Sequence, residues 1–292
     1  MINRERQEMT TFDGRTLCWA EFGIEAGRPI MFFHGGNDSR LAGRLLKAAA
    51  VATGVRLICP ERPGFGRSTY QSDRTLLDWS SDVEQLADRL DLERFGLVGH
   101  SGGGPHAFAC AAALPQRITR VATVSSVAPP PATNRGLHPL FRVVNGLMKH
   151  PTLYRTVARS QLRQMSKHTA RWLGAWAKMQ PADGAMFREQ PDIAAMVLAE
   201  MTEAVRAGAA GIVHEASLYH RDWGFELAAI QTPTAVWHGA SDRQATPAWA
   251  VFLADNIPSA SLTLVEGAGH FSTLIDNAET ILSEFATLTA GD

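Results

Sequence analysis

The chain has 292 residues, of which 45% are hydrophobic and 20% charged, and 28 Lys/Arg against 29 Asp/Glu leave a net charge of −1. That length suits one large domain or two small ones, and the composition fits a soluble globular protein rather than a disordered chain. The charge balance excludes a chain-wide basic footprint for nucleic acid, and no apolar run reaches the roughly 18 residues of a membrane span.

In chain order, the charged start Met1-Ile2-Asn3-Arg4-Glu5-Arg6 leads into no apolar signal segment, so a cytoplasmic location is the default expectation. Asp13-Gly14 is a turn signal and predicts a hairpin over residues 7–22. The short apolar run 29–33 ends in His34-Gly35-Gly36. A helix over 42–52 precedes a strand over 55–59. Leu76, Val83, Leu86 and Leu90 recur at helical spacing within 75–90, and a strand at 95–98, a helix at 103–114 and a strand at 118–124 follow. Bare apolar strands separated by helices read as a parallel sheet covered on both faces. Cys18, Cys59 and Cys110 form no C-x-x-C pair and lie in apolar surroundings, which predicts buried free thiols in a reducing compartment.

The rhythm breaks at Pro129-Pro130-Pro131, and up to about residue 223 the patterns are helical only. Leu140, Phe141, Val144, Leu147 and Met148 share one apolar helical face, and Pro191 opens a second helix over 191–207. Alternation resumes with a strand at 234–237, a helix at 247–255, a strand at 262–265 and a helix at 278–288. The expected organisation is an α/β core of residues 1–128 and 225–292, interrupted by a helical cap over 129–224.

The strongest chemical signal is Gly99-His100-Ser101-Gly102-Gly103, a G-x-S-x-G sequence between a predicted strand and a predicted helix. That context is the one a nucleophile elbow requires, with small residues two places either side of a strained serine so that they avoid its side chain. A phosphate-binding loop would need Gly-Lys-Ser/Thr, which is absent here. A serine hydroxyl needs an adjacent base, and the elbow template places an acid and then a histidine later in the chain. Asp242 and His270 each stand just past a predicted strand, where sites form in open α/β sheets. His34-Gly35-Gly36 follows the third strand, where a backbone N–H completes an oxyanion hole with the residue after the nucleophile. The candidates are therefore Ser101, Asp242 and His270, with Gly36 and Gly102 as oxyanion donors, Gly36 being preferred over Gly35.

Together with Pro60-Glu61-Arg62-Pro63-Gly64-Phe65-Gly66-Arg67-Ser68, these motifs resemble the α/β-hydrolase fold superfamily, in its cap-bearing, proline-iminopeptidase-like and esterase-like branch. The resemblance spans residues 7–128 and 225–289. It implies a mostly parallel eight-stranded sheet flanked by helices, with Ser101 as nucleophile, His270 as base and acid, and Asp242 as its orienting carboxylate. It also implies a supporting loop at 61–68, where Glu61 replaces the family's usual Asp. Serine at 101 argues against haloalkane dehalogenases and epoxide hydrolases. Asn37 and Gly102 depart from proline iminopeptidases, and His100 departs from carbon–carbon bond hydrolases. The implied activity is hydrolysis of a small-molecule carboxylic ester, lactone, thioester or amide. The alternatives are a cofactor-free haloperoxidase or perhydrolase, a carbon–carbon bond hydrolase, or a hydrolase-fold binder without turnover. No cofactor and no metal are implied, because the triad supplies its own base.

Substrate choice is expected to reside in the insertion, which carries Met148, Met165, Met179, Met186, Met196 and Met201 along with Trp172, Trp176 and Trp223. Such side chains favour a mainly apolar substrate, although packing of the cap accounts for most of them. Residues 130–180 contain nine Lys/Arg and no Asp or Glu, with Arg155, Arg159 and Arg163 at helical spacing. A solvated basic face is the simpler reading, and attraction of an anionic substrate the sharper one.

Overall fold

The computed structural model describes residues 1–287 except 131, 149, 151, 155, 158–159 and 161–166. Arg155, Arg159, Arg163 and Met165 lie outside the described residues, as does the last part of the expected helix over 278–288. The hairpin comprises β1 (Ile2–Thr10) and β2 (Thr16–Gly23), and Gly14 turns it at φ +83°. Then come β3 (Arg28–Phe33), a 3₁₀ turn (Arg40–Leu46) running into α1 (Lys47–Ala52), and β4 (Val55–Pro60). The predicted helix at 42–52 is thus half 3₁₀. Ser39 caps it, its side chain accepting from Leu41 N. Next are α2 (Asp78–Arg89), β5 (Phe95–His100), α3 (Gly103–Ala113) and β6 (Ile118–Val124).

Between β6 and β7 the described elements are all helical: α4 (Pro139–Met148), α5 (Thr169–Met179), α6 (Pro181–Glu189), α7 (Pro191–Ala204) and α8 (Ala210–Leu218). Pro181 and Pro191 each sit at a first helical position, where the missing N–H costs nothing. The sheet resumes with β7 (Thr234–Gly239), α9 (Pro247–Asn256) and β8 (Ala260–Val265). Two short helices, α10 (Ser272–Asp276) and α11 (Ala278–Ser283), come last.

The eight strands form one sheet in the order β1-β2-β4-β3-β5-β6-β7-β8. Strands β1 and β2 pair antiparallel, as do β2 and β4, and every other pair is parallel. Strands β5 and β7 are buried along their whole length, which explains why their sequences alternate so little. Two apolar clusters cover the two faces, one built around Trp79, Phe95 and Phe108, the other around Phe22, Phe32 and Phe285. Cys18, Cys59 and Cys110 are buried and unpaired. Among the described residues no helix is long and apolar enough to cross a membrane.

The loop after β4 is tied down through the Glu61 carboxylate. Buried Glu61 accepts from Arg40 Nη1 at 2.9 Å and from Arg67 N at 2.7 Å. A Cβ at Gly66, where φ is +47°, would lie 2.1 Å from the Glu61 carboxylate, so only glycine turns the chain there.

Candidate active site

Ser101 occupies a two-residue turn between β5 and α3 and has a φ of +52°. A left-handed serine stores about 1–3 kcal/mol, and the surroundings must hold it there. Ser101 N donates to Val124 O at 2.9 Å, while Ser101 O accepts from Gly104 N at 3.1 Å and Val127 N at 3.3 Å. The flanking glycines are needed for a different reason from the one the sequence suggested. A Cβ at Gly99 would come 2.7 Å from Gly103 O, and one at Gly103 would come 2.1 Å from Phe33 O. The steric conflict is thus between backbones of β5, α3 and β3, not with the serine side chain.

Asp242 and His270 meet at the ends of β7 and β8. His270 Nδ1 is 2.7 Å from Asp242 Oδ2, and Asp242 Oδ1 accepts from Gln244 N at 2.8 Å and Ala245 N at 3.0 Å. Burial opposes ionisation of Asp242, but His270, with His238 and the Gln244 N–H, outweighs it and holds the carboxyl below its ordinary range. An ionised carboxylate only accepts, so His270 carries its hydrogen on Nδ1 and leaves Nε2 as the basic nitrogen. Burial disfavours the imidazolium too, yet Asp242, joined by Asp183 and Asp38, outweighs that and raises His270 above its ordinary value. The side-chain nitrogen of Gln244 lies 3.2 Å from Nε2, while its oxygen accepts from Trp176 Nε1 at 2.6 Å. That second bond fixes the amide orientation, so Gln244 donates toward the histidine.

The glycine loop after β3 lies against the turn after Ser101. A Cβ at Gly102 would be 3.0 Å from Gly36 N and 2.2 Å from Tyr219 Oη, so the two glycine backbones adjoin with no room for a side chain at Gly102. Behind them lies a buried charged network. Arg62 donates to His34 O, to Gly35 O at 2.8 Å, and to both oxygens of Glu215 at 2.8 and 2.7 Å. The carbonyl of Gly35 shares a peptide with the N–H of Gly36, so the guanidinium both fixes that peptide plane and polarises it. Arg74 donates to Glu215 at 2.8 Å. Burial opposes the Glu215 charge, but Arg62, His106 and Arg74 together outweigh it and hold the carboxyl far below its ordinary range. Tyr219 Oη reaches Glu215 at 2.5 Å and Gly102 O at 3.1 Å, and burial and then Glu215 push the phenol far above its usual range, so it stays a neutral donor. Burial keeps His106 neutral. Its Nε2 faces Arg74, which leaves Nδ1–H to donate to Gly102 O at 2.9 Å.

Ser101, Gly36, Gly102 and His270 line one cavity of about 620 Å³. Its walls are mainly apolar, with Phe141, Trp172, Leu173, Trp176 and Met201 from the inserted helices and Val127 from the loop after β6. Asn37 and Asp38 add polar groups beside the glycines.

The family model described as alpha/beta hydrolase fold matches residues 28–276. This chain belongs to the α/β-hydrolase fold family. It is 32% identical over 124 residues to an uncharacterized hydrolase, YcgS, of Bacillus subtilis, which is 42% of this chain and 43% of that protein. The match thus spans under half the length of that relative. A longer match, 27% identical over 89% of this chain and 90% of the other, is to the non-heme chloroperoxidase CPO-A1 of Kitasatospora aureofaciens. Among solved structures, a hydrolase from Pseudomonas aeruginosa superposes with a TM-score of 0.73 at 22% identity, over 97% of this chain and 98% of that one.

Within this α/β-hydrolase fold, every candidate from the sequence falls in one place. Ser101, Gly36, Gly102 and His270 face the cavity, and Asp242 stands behind His270. Sequence reasoning missed Gln244, Tyr219, Glu215 and Asp183. Gln244 had a usable signal in its place two residues after Asp242. Of the expected apolar residues, Met179, Met201, Trp172 and Trp176 line the cavity, whereas Trp223 packs into the core and stacks on Phe108.

Proposed function

We propose that this protein is a serine hydrolase acting on a small-molecule carboxylic ester, lactone, thioester or amide through an acyl-enzyme on Ser101. The observation that carries the reading is the 2.7 Å contact of His270 Nδ1 with buried Asp242, on the rim of the cavity that Ser101 lines. In this scheme Ser101 Oγ attacks the carbonyl carbon and its proton passes to His270 Nε2. The developing oxyanion is held by the N–H groups of Gly36 and Gly102. Collapse breaks the bond to the leaving group, which takes the proton from His270. Water then attacks the acyl-enzyme with His270 again as base, releasing the acid and regenerating Ser101. Gln244 competes for Nε2, so its amide swings away, or donates to the leaving group, as the proton moves. The inserted helices, taken as residues 129–224, act as a cap whose apolar wall selects a mainly apolar acyl or alcohol group.

The long match to a chloroperoxidase favours a second reading, perhydrolysis. Hydrogen peroxide in place of water would attack the same acyl-enzyme, giving a peracid and free Ser101.

The test pairs covalent labelling by a fluorophosphonate with turnover of activated esters. Ser101→Ala is expected to abolish labelling and lower kcat by about 10⁴–10⁶. More than a tenth of wild-type kcat in that variant removes Ser101 as the nucleophile. Labelling without turnover of any ester, lactone, thioester or amide leaves a binder. Peracid formation at millimolar peroxide that outruns hydrolysis favours the second reading.

A further inference from the structure

Asp183 belongs to α6 in the insertion, 87 residues from His270 in sequence, yet its buried carboxylate is spent on the histidine's own backbone. Oδ2 accepts from His270 N at 2.8 Å. Oδ1 accepts from Phe271 N at 3.1 Å, Ser272 N at 2.8 Å and Ser272 Oγ at 2.9 Å. Four donors thus converge on two oxygens, and none of the bonds requires a proton from Asp183. A Cβ at Gly269 would lie 2.7 Å from that carboxylate, so glycine there is what admits it to the backbone. Charge-assisted bonds of this kind are shorter and stronger than neutral ones, and three consecutive N–H groups tied to one anion leave the loop no freedom to turn.

We propose that Asp183 is a positioning residue for His270, fixing from the insertion the backbone that aims the imidazole between Asp242 and the cavity. The proposal rests on the reading of His270 as base. Its consequence is that the insertion takes part in aligning the catalytic groups and is more than a wall for substrate. The groups that face His270 come from five places. They are Asp242 at 2.7 Å, His238 in β7, His100 at the end of β5 with its ring centroid 5.0 Å away, Asp38 after β3, and Asp183 itself. Of these, Asp242, Asp183 and Asp38 all favour the imidazolium. Removing the Asp183 charge therefore moves the histidine toward lower pKa, and the rising limb of kcat/KM moves to lower pH.

The experiment uses the full chain and the variants Asp183→Asn and Ser272→Ala. Asparagine keeps the shape but turns an N–H donor against backbone donors. In Asp183→Asn, kcat and the rate of fluorophosphonate labelling are expected to fall about 10- to 100-fold, with KM changing less than about threefold. The rising limb should shift to lower pH, and the downfield proton resonance of His270 Nδ1–H should broaden or move. Ser272→Ala removes one of the four bonds, together with the acceptor of Gly269 N at 2.7 Å, and keeps the charge, so a few-fold loss of kcat with an unmoved limb is expected. Unchanged kcat and an unmoved limb in folded Asp183→Asn overturn the proposal. If Asp183→Asn does not fold, full kcat in Ser272→Ala overturns it instead. Controls with Ser101→Ala and His270→Ala separate the two failures. Persistent turnover in those controls sinks the serine-hydrolase reading, while their inactivity beside a fully active Asp183→Asn sinks only the role of Asp183.

Discussion

The loops at the sheet ends and the inserted helices are built on different physics. The loops owe their geometry to backbone fit. Gly99, Gly102 and Gly103 let three segments touch where a single Cβ would collide, and Ser101 is held at φ +52° by hydrogen bonds from both sides of the turn. The inserted helices are held by apolar packing, with Leu173, Trp176, Met186, Phe187, Val197 and Met201 gathered against Leu45 and Phe271 of the core. Yet three of those helices each send a polar group to a different part of the site. Trp176 of α5 holds Gln244, Asp183 of α6 holds the His270 loop, and Glu215 of α8 holds Arg62 behind the glycine loop. An apolar cover that only selected substrate would have no need to bury two carboxylates against the core. Burying such charges is costly unless each is paired or hydrogen-bonded, and here Glu215 is paired with Arg62 and Arg74 while Asp183 accepts from three backbone N–H groups and a hydroxyl.

The strongest challenge to this picture acts on the loops alone. Asp242→Asn keeps the shape but removes the charge that fixes the histidine tautomer, so kcat should fall by about 10⁴. Without that carboxylate, His270 loses the influence that raises it, and the residual activity should rise through a lower pH than in the wild type. A pH–rate profile of the variant checks both statements. Unchanged kcat would move the orienting acid to another residue.

The sheet was legible because its strands are short apolar runs between turn signals, and the site was legible because glycines and strand ends mark it. The insertion was only partly legible. The helices α4 and α7 announce themselves by an apolar stripe and an opening proline, whereas α8 is buried on nearly every side and shows no stripe to read. Asp183 and Glu215 carried no signal at all. A charged residue in a helix ordinarily faces water, and what buries these two is a partner 87 or 153 residues away. Residues 42–46 fall within the expected helix over 42–52 yet belong to the 3₁₀ turn, because both conformations place apolar residues three or four apart.

The two glycines proposed as oxyanion donors sharpen the comparison, because they differ in what surrounds them. A Cβ at Gly102 would reach Tyr219 Oη at 2.2 Å and crowd Gly36 N at 3.0 Å, whereas a Cβ at Gly36 meets nothing closer than Tyr219 Oη at 3.7 Å. Gly102→Ala therefore displaces the donors and should cost about 10²–10³ in kcat, the scale of losing one oxyanion donor. Gly36→Ala fits ordinary van der Waals space and should cost less than about tenfold. Steady-state kinetics on one activated ester measures both. Equal losses would mean that the oxyanion is bound elsewhere along the loop.

The smallest expected effect tests where substrate choice resides. Each buried CH₂ contributes up to about 0.8 kcal/mol, so kcat/KM should rise roughly fourfold per added acyl carbon until the cavity fills. Leu173 of α5 and Val127 of the loop after β6 both line that cavity, one from each region. If the insertion sets length preference, Leu173→Ala should move the optimum to longer acyl chains, and Val127→Ala should leave it in place. Neither residue touches Ser101 or His270 through a hydrogen bond in the scheme above, so labelling by a small fluorophosphonate should stay within about twofold of wild type in both variants. Values of kcat/KM across a graded series of p-nitrophenyl esters decide the matter. A shift of equal size in Val127→Ala would put length selection in the core loops. The inserted helices would then be left with the polar supports at Trp176, Asp183 and Glu215 as their contribution to the site.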